Sequence, residues 1–310
     1  MAKMSFWVNW SIDCEATQHA VKDPELGTRG AQGYADILDE HGLKGNFFII
    51  PGDAESNPSL YRSIMERGHE IGLHLHPADE GYSEFAGEMS PEEQCEVITK
   101  AKDRWAQAVG FEPVCFCMGY ASANDYTFGV LEELGFGYGQ VGLPGRRLPE
   151  TACVWEGAPL YIHYANRNNR LLSGDLDFVE VPHTVDLESY MWGGKHPQDL
   201  RVELVDSKNH WYTIYKAVMR QKDDVSIPVK IIRGVTHNTF DYSDPHNFRR
   251  QTLKGMIGSV KSILEDADCN LIPGTLGMIV DDFRKKVPKI NPGQVLKLDR
   301  RAYQGEKNKT

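Results

Sequence analysis

The chain has 310 residues, 41% hydrophobic and 25% charged, with a formal net charge of −10 at pH 7. Acidic and basic residues are interspersed, so no basic stripe exists to neutralise phosphates, and nucleic acid is not an expected partner. No apolar run reaches membrane-spanning length, and the one around Phe6-Trp7-Val8 is too short for the core of a secretion signal. Six cysteines, Cys14, Cys95, Cys115, Cys117, Cys153 and Cys269, form no C-x-x-C pair, which leads us to expect reduced thiols and a cytoplasmic protein.

Phe6 to Ile12 is rich in aromatic and β-branched residues and runs into the polar cluster Asp13-Cys14-Glu15, as a buried strand does at its active end. Tyr34, Ile37 and Leu38 then recur at helical spacing, with Gly42 at the place of a left-handed cap. A second strand follows at Asn46 to Ile50, closed by Pro51-Gly52, and a second helix carries Leu60 and Ile64 and ends at Gly68. Glu70 to Leu75 reads as a third strand. Pro91 opens a longer helix on which Cys95, Ile98, Lys102, Trp105 and Val109 share a face. A strand at Val114 to Met118, a helix through Val130, Leu131 and Leu134, and a short strand at Phe136 to Tyr138 continue the alternation, which predicts a parallel sheet.

From about 143 to 201 the rhythm breaks into Gly, Pro, Asn and aromatic residues around one strand-like piece, Phe178 to Pro182; patternless segments of this length are usually functional or disordered, and this one reads as an insertion carrying substrate contacts. Regularity returns with a helix near Trp211 to Met219, a strand at Pro228 to Val235 and a helix through Leu253, Met256, Ile257, Val260 and Ile263. About seven strand–helix units favour a closed or nearly closed α/β barrel, and the absence of G-x-G-x-x-G after the first strand speaks against dinucleotide binding. The expected organisation is one barrel domain over 1–285 with an irregular insertion at about 143–201, followed by a polar tail over 286–310.

Catalytic groups of a barrel sit at the carboxyl ends of its strands. Asp13 and Glu15 lie there at period two and face one side, and His74 and His76 in Gly72-Leu73-His74-Leu75-His76-Pro77 do the same. His237, in Gly234-Val235-Thr236-His237-Asn238, ends a later strand. A lone histidine at a strand end is more often a hydrogen-bonded structural residue than a ligand; the pair beside a separate D-x-E reverses that reading. Two carboxylates and two imidazoles converging from neighbouring strands make a mixed oxygen and nitrogen site of the kind that holds zinc or a related divalent ion. Such an ion acidifies water and polarises a carbonyl, the remaining carboxylate takes the water's proton, and His237 protonates a leaving amine.

Leu38-Asp39-Glu40-His41-Gly42-Leu43-Lys44-Gly45-Asn46-Phe47-Phe48, followed by Arg67-Gly68-His69-Glu70-Ile71-Gly72-Leu73-His74, resembles the polysaccharide deacetylase family, carbohydrate esterases on a distorted (β/α)₇ TIM-like barrel. Ser11-Ile12-Asp13-Cys14-Glu15 stands where that family has a T-F-D-D type motif, as in divergent members with D-x-E. The resemblance makes Asp13 the base, itself able to ligate metal, Glu15 the displaced carboxylate ligand and His74 the first histidine ligand. The family's second histidine falls on Ala78, so His76 is the substitute and Asp79 the reserve. The R-x-P-Y segment survives as Cys117-Met118-Gly119-Tyr120, without its arginine and with the Tyr120 backbone N–H available as an oxyanion donor. His237 falls at the late catalytic histidine, and Trp192, in Tyr190-Met191-Trp192-Gly193-Gly194, is an aromatic able to stack on a sugar ring.

The resemblance implies a metal-dependent hydrolase, with zinc as the favoured ion, that removes an N-acetyl group from a sugar or a sugar-containing small molecule. Two other readings stay open: an allantoinase-like hydrolase of ureides or cyclic amides on the same fold, and a non-catalytic carbohydrate-binding module. The expected partner is a small-molecule or oligosaccharide substrate, with no membrane, and the sequence is compatible with a homo-oligomer.

Overall fold

A computed structural model describes residues 3–289, so most of the expected polar tail lies outside the described residues. The fold is a distorted (β/α) barrel. Its strands β1 (Ser5–Cys14), β2 (Gly45–Ile49), β3 (Glu70–Leu75), β4 (Cys115–Met118) and β5 (Tyr138–Gln140) lie side by side in sequence order. The strand Val179–Glu180 follows β5, and the strand Lys230–His237 flanks the far side of β1; every pairing along this path is parallel. The strand His163–Tyr164 adds an antiparallel edge, and Asn270–Pro273 pairs with the first residues of β1.

Between the strands run α1 (Pro24–Glu40), α2 (Pro51–Ser56), α3 (Pro58–Glu66), α4 (Pro91–Val109) and α5 (Thr127–Glu133). Later come α6 (Ser207–Asp223), α7 (Phe248–Asp266) and α8 (Leu276–Lys286). None of the described helices is long and apolar enough to cross a membrane. Parallel strands covered by helices on one side and facing the barrel axis on the other must be apolar outward, and Val8, Trp10 and Ile12 of β1 are fully or almost fully buried. The alternate residues Asn9, Ser11 and Asp13 face other polar groups. Asn9 Nδ2 donates to Asn46 Oδ1 at 2.9 Å, and Arg233 Nη2 donates to Ser11 Oγ at 3.0 Å.

Several expectations need correction. Pro51-Gly52 does not close β2 with a turn but opens α2, because proline at a first helical position loses no intrahelical bond. The last short strand of the first half is Tyr138–Gln140, not Phe136 to Tyr138. Gly135, at φ +84°, and Phe136, whose N–H reaches Leu131 O at 3.0 Å, complete the cap of α5 first. On α4 the buried face is Gln94, Val97, Ile98, Ala101, Trp105 and Val109, and Cys95 is exposed. Gln94 is drawn inward by its bonds to Met89 O and Asn124 Oδ1. The 143–201 insertion is more ordered than its composition predicts, with the antiparallel pairs Arg147–Leu148 with Cys153–Val154 and Val185–Met191 with His196–Asp199.

Candidate active site

β1 and β3 are not neighbours: β2 separates them, so the expected convergence from adjacent strands does not hold as stated. The gap is spanned because Glu15 lies one residue beyond the end of β1. Its backbone N–H donates to Asn238 Oδ1 at 2.8 Å, and Asn238 Nδ2 donates to Asp53 Oδ2 at 2.8 Å. Asp53 also accepts from the N–H groups of Ala16 and Thr17, so the whole turn after β1 is clamped.

From that position Glu15 Oε2 meets His76 Nε2 at 3.0 Å and His74 Nε2 at 3.2 Å. The outer nitrogens decide what these contacts are. His74 Nδ1 donates to the backbone oxygen of Cys117 at 3.2 Å, and His76 Nδ1 donates to Glu84 Oε1 at 2.7 Å. In the neutral rings each Nε2 therefore carries a lone pair aimed at an oxygen that also only accepts, an arrangement that needs a cation among the three. All three ligand atoms lie within 4.8 Å of one another, and the residues present fit a divalent metal. Without one, protons must serve: burial alone would lower His76, but its bonds to Glu15 and Glu84 push it up to about 10. Burial would raise Glu15, yet His237, His74 and His76 hold it well below the usual carboxylate range.

Asp13 stands beside this group. Cys117 Sγ donates to its Oδ1 at 3.7 Å, and Asp13, His74 and Cys117 form a second cluster of ligand-bearing atoms within 4.8 Å. In the parallel register Asp13 is paired with His237, whose Nε2 is 4.0 Å from both Asp13 Oδ2 and Glu15 Oε1. His237 Nδ1 is hydrogen-bonded to Glu203. Burial opposes charge on His237, but Glu203 and Glu15 outweigh it and push the imidazole up to about 9. A protonated imidazole beside a carboxylate that is able to take a proton is an acid and base pair in one cleft.

The cleft is open to solvent and is walled by Asp13, Glu15, His74, His76 and His237 together with Tyr120. Tyr120 lies at the end of β4 in a left-handed conformation (φ +57°), with its ring edge-on to His76 at 5.2 Å. Asp79 belongs to neither ligand cluster and Ala78 is exposed. Trp192 is not on the wall; it stacks on His196 at 4.2 Å near the tip of the Val185–Asp199 hairpin. Sequence reasoning missed Glu84, Glu203, Asp53 and the wall residues Gln140, Arg146, His183 and Arg201. Asp53 lies on α2 and Gln140 ends β5, while the others come from loops and the insertion, where no periodicity marks them.

Residues 25–139 match the sequence profile of the family described as polysaccharide deacetylase. The chain resembles that family. The matched segment holds His74 and His76 but not Asp13, Glu15 or His237. The polysaccharide deacetylase resemblance extends to a curated relative, a peptidoglycan-N-acetylglucosamine deacetylase of Listeria monocytogenes, 28% identical over 105 residues. That alignment covers 33% of this chain, and the chain spans about a fifth (20%) of the relative's length. Two solved structures share the fold over most of their length. One is described as a putative polysaccharide deacetylase from Mycobacterium smegmatis (18% identity, TM-score 0.61, 96% of each chain). The other is the Puue allantoinase (14% identity, TM-score 0.62, 92% of each chain).

Proposed function

We propose that the protein is a metal-dependent hydrolase that removes an N-acetyl group from a sugar or a sugar-containing small molecule. The observation that carries this reading is the meeting of the Nε2 atoms of His74 and His76 on one oxygen of Glu15, beside Asp13 and with His237 Nε2 4.0 Å from both carboxylates. The resemblance over residues 25–139 supports the same chemistry, and the curated relative is by its name a deacetylase of N-acetylglucosamine.

Glu15, His74 and His76 would hold the ion, for which zinc is our choice on the mixed imidazole and carboxylate donors. When bound, a divalent ion supplies Lewis acidity toward a carbonyl and lowers the pKa of water to about 7. Asp13 accepts the proton from water as it attacks the amide carbon. His237, charged and oriented by Glu203, delivers a proton to the departing nitrogen. The Tyr120 backbone N–H, at the end of β4, is our candidate donor to the developing oxyanion. Each of the two proton transfers contributes roughly 10²- to 10⁴-fold.

Metal analysis combined with acetate release from N-acetyl sugars tests the reading. We expect a stoichiometric ion that is lost in His74→Ala, and a rate lowered roughly 10²- to 10⁴-fold in Asp13→Asn with the ion retained. Protein without an ion at any pH, acetate release indifferent to Asp13→Asn, or ring opening of a cyclic ureide to a new carboxylate in place of acetate release would each overturn it.

A further inference from the structure

The insertion sends two arginines to the cleft wall, Arg146 and Arg201, and of the two only Arg201 is paired with a carboxylate, Asp199. Arg146 is 5% exposed. Its Nε donates to His196 Nδ1 at 3.1 Å, and its Nη1 donates to Tyr120 O at 3.0 Å and Cys153 Sγ at 3.8 Å. None of these partners is an anion: burial lowers His196 to about 3, and burial raises the Cys153 thiol. Nη2 makes no hydrogen bond among the described residues. A guanidinium that is buried without a hydrogen-bonded carboxylate is costly unless something arrives to pair with it.

Arg201 does not relieve its neighbour. It holds Asp199, the buried carboxylate on this side, through Nη2 at 3.3 Å and through its own backbone N–H at 3.1 Å. The Nε and Nη1 of Arg201 have no partner among the described residues. The two cations sense each other, for after burial the Arg201 charge is the largest influence lowering Arg146. His183 on the same wall is kept neutral by burial first and by the surrounding guanidiniums next. A purely structural Arg146 would explain the bonds to His196 and Tyr120, which Nε and Nη1 already make. It would not explain a third nitrogen left without a partner on the wall of a cleft.

We infer that the substrate carries a carboxylate seated on Arg146 and Arg201, so that the amide to be cut belongs to an acidic sugar. The orientation rests on the hydrolase reading, with the acyl group at Glu15, His74 and His76 and the carboxylate at the insertion's end of the cleft. The arginine seat itself does not depend on turnover.

Calorimetric titration of the purified protein with N-acetylmuramic acid and N-acetylneuraminic acid, each against its methyl ester, tests the seat. For at least one pair the acid should bind about tenfold or more tightly than the ester, as a charge-assisted contact predicts. Arg146→Gln and Arg201→Gln should each narrow the difference, and Arg146→Lys should keep part of it. Equal or absent binding in both pairs overturns the inference with wild-type protein alone, whether or not the variants fold. So does discrimination that persists in both glutamine variants, because the carboxylate then sits elsewhere. Acetate released from N-acetylglucosamine without any difference between acid and ester sinks the seat and leaves the hydrolase standing. Discrimination that needs the arginines, with no acetate from any sugar, does the reverse.

Discussion

Glu84 accepts the Nδ1 proton of His76 at 2.7 Å and so fixes which face of that ring looks at Glu15. A carboxylate behind a ligating imidazole holds its tautomer and raises its basicity. Glu84→Ala should weaken metal binding roughly 10- to 100-fold, read by competition with a chelator. Unchanged affinity would remove His76 from the ligand set.

The Glu203 carboxylate has the same relation to His237, but there it sustains a proton. With His237 pushed up to about 9, the group stays protonated through neutral pH, and a rate that needs it as an acid falls as pH rises through about 9. Glu203→Gln takes away the largest influence raising this imidazole, so the falling limb of kcat/KM should move to lower pH. A limb that does not move in the pH profile would leave His237 without the acid's role.

Glu180 offers a titration remote from any ligand. It is buried, and burial raises its carboxyl to about 8 against the N–H groups of Val141 and Gly142 that bond to it. Its folded value thus exceeds the unfolded one of about 4.3, so its contribution to stability is complete below about pH 4.3 and is lost as pH rises through about 8. The loss is on the order of 3–5 kcal/mol. Glu180→Gln keeps an acceptor for both N–H groups and has no proton to lose. Its melting temperature relative to wild type should climb between about pH 5.5 and 8.5; a constant difference would mean that Glu180 is ionised throughout.

The stripe Gly27, Gly30 and Gly33 on α1 lets the helix lie against the loop that follows His237. A Cβ on Gly33 would come within 2.3 Å of the backbone of Tyr242 and Ser243, which cannot yield as a side-chain tip can. Gly33→Ala should cost roughly 1–3 kcal/mol in denaturant unfolding. A neutral substitution would show that this loop does not rest on α1.

The D-x-E and H-x-H pairs were legible because period two alone turns both members of each pair to one face, and the ends of the strands that carry them stand out by their loss of apolar residues. The order of strands was not, since alternation along a strand says nothing of which strand lies beside it; hence β2 came between β1 and β3 unforeseen. Glu84 and Glu203 escaped for another reason. Each reaches its histidine from a loop, 8 and 34 residues away in the chain, and no spacing rule connects them. On α4, the hydrogen-bonding needs of one buried glutamine turned the inner face by a residue and put Cys95 outside.

The pairing of Asp13 with His237 in register has a consequence for synthesis. As the chain leaves the ribosome, Asp13, Glu15, His74 and His76 are all present in its first third, yet β1 has β2 on one side only and lacks the strand on its other side until residue 237 has emerged. His237, the proposed proton donor, is therefore delivered last of these five, by the same strand that encloses β1. On the proposed reading, an unfinished chain would hold the ligand residues but not the acid that turnover needs.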